Sequence, residues 1–219
     1  MNKSEKFWDK ASKNYDKTEE RFEYIHRKSR ENTKKYLKSS NVVLDYGCGT
    51  GTASCEFSNQ VKEIHAIDIS SKMIGIAKKK AVARKVENVH FEKTDIFDKR
   101  YKNESFDMIL AFNMLHTVSN PQDVMQRINE LLKDEGLFIS VTPCLRQRMS
   151  FLVNIQIQLV RVLCKFGIIP IPIRRLKSSE LDDLIASVDF QTIESENIYK
   201  GASSYFLATK KVHKTQRFT

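Results

Sequence analysis

The sequence predicts an α/β domain whose mostly parallel sheet is covered by helices on both faces. Three observations point there. Residues 42–51 read Val-Val-Leu-Asp-Tyr-Gly-Cys-Gly-Thr-Gly, an apolar run into an acid and then alternating glycines. Short apolar runs recur at 64–69, 106–112 and 137–142, separated by helix-like stretches. The 219 residues are 41% hydrophobic and 29% charged, which suits one globular domain with a sizeable core.

The elements are taken in chain order. Residues 5–38 read as one or two helices rich in Lys and Glu, with aromatics at Phe7, Trp8, Tyr15, Phe22, Tyr24 and Tyr36; 1–40 form an N-terminal helical cap. Val42–Leu44 is a buried strand ending at Asp45. Gly47, Gly49 and Gly51 form a tight turn where a ligand can lie against bare backbone, because glycine tolerates positive φ and has no Cβ. A helix begins near Thr52. Residues 64–69 are a second strand with Asp68 at its tip, where a carboxylate can accept from both hydroxyls of a ribose. The helix over 71–86 carries Lys78, Lys79, Lys80, Arg84 and Lys85 on a solvated face. A third strand at 89–91 leads to Thr94, Asp95 and Ile96, and a fourth spans 106–112, with Asn113 and His116 just beyond it. Pro121 begins a helix through Leu132. The Lys133–Gly136 turn then precedes a fifth strand at 137–142. A helix over 178–188, capped by Ser178 and Ser179, and strands near 190–197 and 204–210 close the domain.

The glycine spacing separates two kinds of site. A dinucleotide fingerprint is G-x-G-x-x-G; this chain has G-x-G-x-G behind Asp45. Val-Leu-Asp-x-Gly-Cys-Gly-Thr-Gly resembles motif I of class I S-adenosyl-L-methionine (SAM)-dependent methyltransferases, and the acids at 68 and 95 come at that family's spacing. The resemblance implies a Rossmann-like, doubly wound seven-stranded sheet of order 3-2-1-4-5-7-6 with strand 7 antiparallel. It implies SAM as cofactor, held by Asp45, Gly47, Cys48, Gly49, Gly51, Asp68, Ile69, Met73, Asp95, Ile96 and Phe112 within a core spanning 41–145, with Asp95 on the adenine amino group. Phe7-Trp8-Asp-Lys-Ala and Asn14-Tyr15-Asp16 resemble the opening segment of the quinone-methylating lineage, which folds over the cofactor and implies a contact from Tyr15. The same likeness places substrate-side residues at Asn113 and His116. His116 is a base or orienting group in one reading and a packing residue in the other.

Charge and cysteines bound the partners. The net charge of +10 lies outside the core: residues 41–145 carry 13 basic and 14 acidic side chains, residues 146–177 carry 7 and none. The last ten residues add four basic side chains. Cys48, Cys55, Cys144 and Cys164 show no paired spacing, and the first 40 residues hold no apolar leader, so a cytoplasmic setting is expected. The five histidines are isolated in sequence, and no metal site is expected. After the fourth strand, Ala-Phe-Asn-Met lacks the Pro-Pro-aromatic motif of nucleic-acid amino-methylating enzymes. A small, apolar acceptor is the leading expectation. An RNA methyltransferase and a SAM-binding interaction module that catalyses nothing are the alternatives.

Residues 146–177 form an insert after the fifth strand. On a helix, Gln147, Ser150, Asn154, Gln158, Arg161 and Lys165 fall on one narrow polar stripe, and nearly everything else from Met149 to Phe166 is apolar. Pro170 and Pro172 rule out a helix through 167–173, ahead of Arg174, Arg175 and Lys177. Three readings stay open: a lid over the substrate pocket, a contact with a membrane surface or a second chain, and a helix buried in the core.

Overall fold

A computed structural model describes residues 3–212. Residues 213–219, most of the basic tail, lie outside the described residues.

Seven strands form one sheet: β1 (Val42–Tyr46), β2 (Glu63–Asp68), β3 (Val89–Lys93), β4 (Phe106–Phe112), β5 (Leu132–Pro143), β6 (Phe190–Tyr199) and β7 (Ser203–Lys211). Their order is β3-β2-β1-β4-β5-β7-β6. The first five pair in parallel, and β7 runs antiparallel to both of its neighbours. This is the expected topology.

Alternation along the strands feeds two cores. Leu44, Ile109 and Phe138 point to one face, under α6 (Pro121–Leu131) and α8 (Ser178–Ala186). Val43, Met108 and Ile139 point to the other, under α3 (Glu23–Lys34), α4 (Thr52–Phe57) and α5 (Ser71–Ala83). All six of these strand side chains are fully buried. Two covered faces make the central strands apolar at nearly every position, which is why they are legible as runs.

Four details differ from the sequence reading. The cap is not one or two long helices: α1 (Lys3–Ala11), α2 (Tyr15–Glu19) and α3 are separated by 3₁₀ turns at 12–14 and 20–22. These breaks let the segment bend over the sheet edge. The Lys133–Gly136 turn sits inside β5 as an irregularity, where the pairing jumps from Phe106↔Leu132 to Met108↔Leu137. Glu135 takes φ of 62° there. The start of α8 is satisfied by Glu180, whose carboxylate accepts from the Lys177 N–H at 2.7 Å, and not by Ser178 or Ser179. The insert helix, α7, runs over Phe151–Lys165 only. Gln147 and Ser150 precede it because the chain there is tied to the β6–β7 turn: Ser150 N–H donates to Gly201 O at 2.7 Å, and Ser203 Oγ donates to Arg148 O at 2.8 Å.

The structure also removes one reading of the insert. Of α7, only Val153 is buried. Phe151 is 77% exposed and Leu152 66% exposed, so α7 is not a core helix.

Candidate active site

The glycine turn joins β1 to α4 with φ of 75°, 54° and 73° at Gly47, Gly49 and Gly51. The N–H groups of Gly47 and Cys48 both donate to Ile67 O, at 2.9 and 3.0 Å, and hold the turn against the end of β2. The three glycines serve different ends. A Cβ on Gly51 would lie 2.6 Å from the Phe91 ring and 2.9 Å from Ala77 Cβ, so this glycine lets α4 and α5 approach the sheet. A Cβ on Gly49 would meet only the Tyr15 ring, at 3.5 Å. Gly47 lies beneath Met114 and lines the cleft.

That cleft is a cavity of about 380 Å³ at the carboxyl ends of β1, β2 and β4. Asp68 and Asp95 both line it, as do Ile69, Met73, Phe112 and Asn113. Asp68 is held by backbone donors, Gly49 N–H to Oδ2 at 3.1 Å and Ser70 N–H to Oδ1 at 2.8 Å. Burial raises its pKa against these hydrogen bonds. Asp95 is fixed by the Phe97 N–H at 2.8 Å. The Ile96 side chain is fully buried in the core, so the cavity wall there is Phe97 instead.

Asp45 lies near the tip of β1 and is 2% exposed. Burial pushes its pKa up to about 6, although the Ser54 hydroxyl donates to it. It faces a second cavity of about 330 Å³, together with Cys48, Glu19 and His26. Burial raises the Cys48 thiol well above its ordinary pKa, which makes it a packing residue and a poor nucleophile. Tyr15, Gly47, Phe112 and Asn113 line both cavities.

Asn113 comes directly after β4 with φ of 55°, a region Asn enters more readily than other side chains. Its N–H donates to Val141 O at 2.7 Å, and its Nδ2 lies 3.1 Å from His26 Nδ1. His26 Nε2 is in turn 2.9 Å from Glu19 Oε2, a close contact that lacks hydrogen-bond geometry. Sequence spacing gives no sign of this Glu19–His26–Asn113 chain, because the first two residues come from the cap. His116 is placed elsewhere. It is not on the wall of either cavity, its Nδ1 is buried without a hydrogen-bond partner, and burial lowers its pKa to about 4.

The cap crosses the cleft on polar fastenings. Asp9 accepts from Ser70 Oγ at 2.6 Å and from Lys72 N–H at 3.1 Å. Lys93 pairs with Glu5, and Thr50 Oγ1 donates to Asp16 at 2.5 Å. These contacts set Trp8 and Tyr15 over the cavity, their ring centroids 6.5 Å apart. Met114, Val118 and, from the insert, Ile171 add apolar lining, beside the polar Thr117, Ser119, Asn120 and Asp123.

Residues 37–199 match the family described as methyltransferase domain. The chain belongs to that family. It is 34% identical over 134 residues to an uncharacterized protein, MJ1252, of Methanocaldococcus jannaschii, covering 61% of this chain and 49% of that protein. It is 33% identical over 104 residues to a ubiquinone biosynthesis O-methyltransferase of Haemophilus ducreyi, covering 45% and 44%. The chain thus spans less than half the length of these curated relatives. Its fold is shared with the crystal structure of YcgJ from Bacillus subtilis, at a TM-score of 0.68 and 18% identity, over 86% of this chain and all of that one.

The residues present fit SAM, the cofactor that the sequence resemblance implies. A sulfonium nucleoside with an amino-acid end needs a bare backbone turn, carboxylates for hydroxyl and amino donors, and no phosphate cradle. The cleft offers Gly47 and Gly49, then Asp68 and Asp95, along one cavity.

Proposed function

We propose that this domain transfers a methyl group from SAM to a small, apolar acceptor, at oxygen or carbon. One observation carries the reading: the cavity lined by Asp68 and Asp95 is lined also by Trp8, Met114, Val118 and Ile171. A charged or long polymeric acceptor would gain little from these apolar side chains.

Bound SAM supplies an activated methyl on a good leaving group, so positioning and water exclusion are the protein's main tasks. In this reading Asp68 and Asp95 hold the ribose hydroxyls and the adenine amino group. Gly47 and the ionised Asp45 accept the ammonium end. Tyr15 and Phe112, on the wall of both cavities, narrow the passage where the reacting centres meet. Asn113 is the candidate for orienting the acceptor, its amide steered by His26. If His26 carries its proton on Nε2, toward Glu19, its Nδ1 accepts from Asn113 Nδ2 and leaves the amide oxygen for the acceptor. His116 has no such access. The excess positive charge gives RNA no specific support, since it is concentrated in the cap and insert while the core is near neutral.

Titration calorimetry with S-adenosylhomocysteine tests the cofactor half. Micromolar binding is expected, and Asp68→Asn should weaken it about a hundredfold through lost charge-assisted hydrogen bonds. A folded protein that does not bind would overturn the reading. Turnover assays against phenolic and polyprenyl acceptors, beside an RNA fragment, test the other half. Methylation of RNA alone would replace the small-acceptor assignment.

A further inference from the structure

The insert carries a surface that neither the cofactor nor the acceptor reading uses. At about 100° per residue, Val153, Ile157, Val160 and Cys164 form the side of α7 turned to the protein. Phe151, Ile155, Leu159 and Val162 lie on the opposite side, each at least 50% exposed. Arg161 and Lys165 run along one edge of this apolar band, both exposed. Isolated exposed apolar residues are ordinary; a continuous band along about three turns marks an interaction site.

We infer that α7 is a docking surface for an anionic lipid bilayer, on which the helix lies parallel to the membrane plane. Charge chooses the occupant. Residues 146–177 hold seven basic and no acidic side chains. A second copy related by a two-fold axis would set this charge against itself. An anionic leaflet complements it, and an amphipathic helix with Lys and Arg beside its apolar face is suited to the headgroup boundary. The length agrees: 15 residues span about 22 Å, too short to cross a hydrocarbon core of about 30 Å. No helix among the described residues is long and apolar enough to cross a membrane.

The band continues past the start of α7. Arg148 stacks 4.9 Å over the Tyr199 ring, and Lys200 sits 5.1 Å over Tyr24. Both tyrosines are about 40% exposed. Aromatic rings paired with basic side chains are at home where headgroups meet acyl chains. Arg174 and Arg175 do other work. Arg174 donates to the carbonyls of Val118 and Ser119, and Arg175 to that of Leu145, so they fasten the return arm that brings Ile171 into the cleft. The surface and the acceptor pocket are therefore joined by a few residues, which would bring the pocket close to the membrane plane.

Vesicle flotation of the full chain tests the surface without any turnover, so its outcome is separate from the acceptor assignment. Vesicles of phosphatidylcholine alone are compared with vesicles that also contain phosphatidylglycerol. Binding to the anionic vesicles should be at least about tenfold stronger and should fall with salt. Two double variants, Ile155→Gln with Leu159→Gln and Arg161→Glu with Lys165→Glu, should each reduce it about tenfold. Both leave buried positions untouched, and unchanged S-adenosylhomocysteine affinity would confirm folding. Absent binding, equal binding to both vesicles, or binding indifferent to both variants would overturn the inference. So would a dimer in light scattering that the double Gln variant dissociates, which assigns the face to a second copy.

Discussion

The carboxyl end of the sheet and the insert after β5 both line one cavity, yet they are built in opposite ways. The first is backbone geometry: glycines at positive φ, carbonyls and N–H groups at strand tips, and carboxylates held by backbone donors. The second is side-chain surface: an exposed apolar helix and a return arm pinned by arginines to carbonyl oxygens. Backbone demands restrict residue type at fixed spacing. Surface demands need only size and polarity, which many sequences meet.

Four measurements would break or sharpen this contrast, from the largest effect down. Gly51→Ala places a Cβ against Phe91 and Ala77 at a positive φ. It should cost about 2–5 kcal/mol in urea unfolding; a cost below that of an ordinary surface change would mean the turn is not packed as described. Asp45 sets a pH dependence. Its folded pKa, about 6, lies above the ordinary 3.8, so the folded chain holds this proton more tightly than the unfolded one. Stability should therefore be favoured at low pH and fall by about 2–3 kcal/mol as pH rises from 4 through 6. Asp45→Asn should flatten that part of the profile in thermal melts across pH. In the lining of the cavity, Ile171→Ser should raise KM for an apolar acceptor about tenfold while leaving cofactor affinity alone. Equal losses in both would show that the wall serves the cofactor too. Least of all, Ile155→Gln with Leu159→Gln should change stability by less than about 0.5 kcal/mol per site. A larger loss would show that α7 is core after all.

The same contrast explains which parts of the molecule are legible in its sequence. The strands stand out because two-sided burial leaves no polar positions between Val42 and Leu44 or between Met108 and Phe112. Asp45, Asp68 and Asp95 are legible because each ends or trails such a run. Ile96 stands beside Asp95 in sequence, but its side chain turns into the core, and the cavity receives Phe97. His26 and Glu19 have no local signature. They sit in a helical cap rich in similar residues, and only tertiary packing selects which of them meets Asn113. The extent of the insert helix is set by hydrogen bonds to the β6–β7 turn, a partner about 50 residues away that periodicity does not see.

The fastenings of the cap have a consequence for traffic through the cleft. Tyr15 covers Gly49, its ring 3.5 Å from where a Cβ would stand, so the cap forms part of the cover over the glycine turn. Glu5–Lys93 and Asp16–Lys80 are ion pairs open to solvent on at least one side, beside the hydrogen bonds from Thr50 to Asp16 and from Ser70 and Lys72 to Asp9. Dissolved ions weaken such pairs but leave the buried sheet nearly untouched. Raised ionic strength should therefore loosen the cap more than the sheet and speed the release of S-adenosylhomocysteine; equal release rates at low and high salt would show that these ion pairs do not hold the cap.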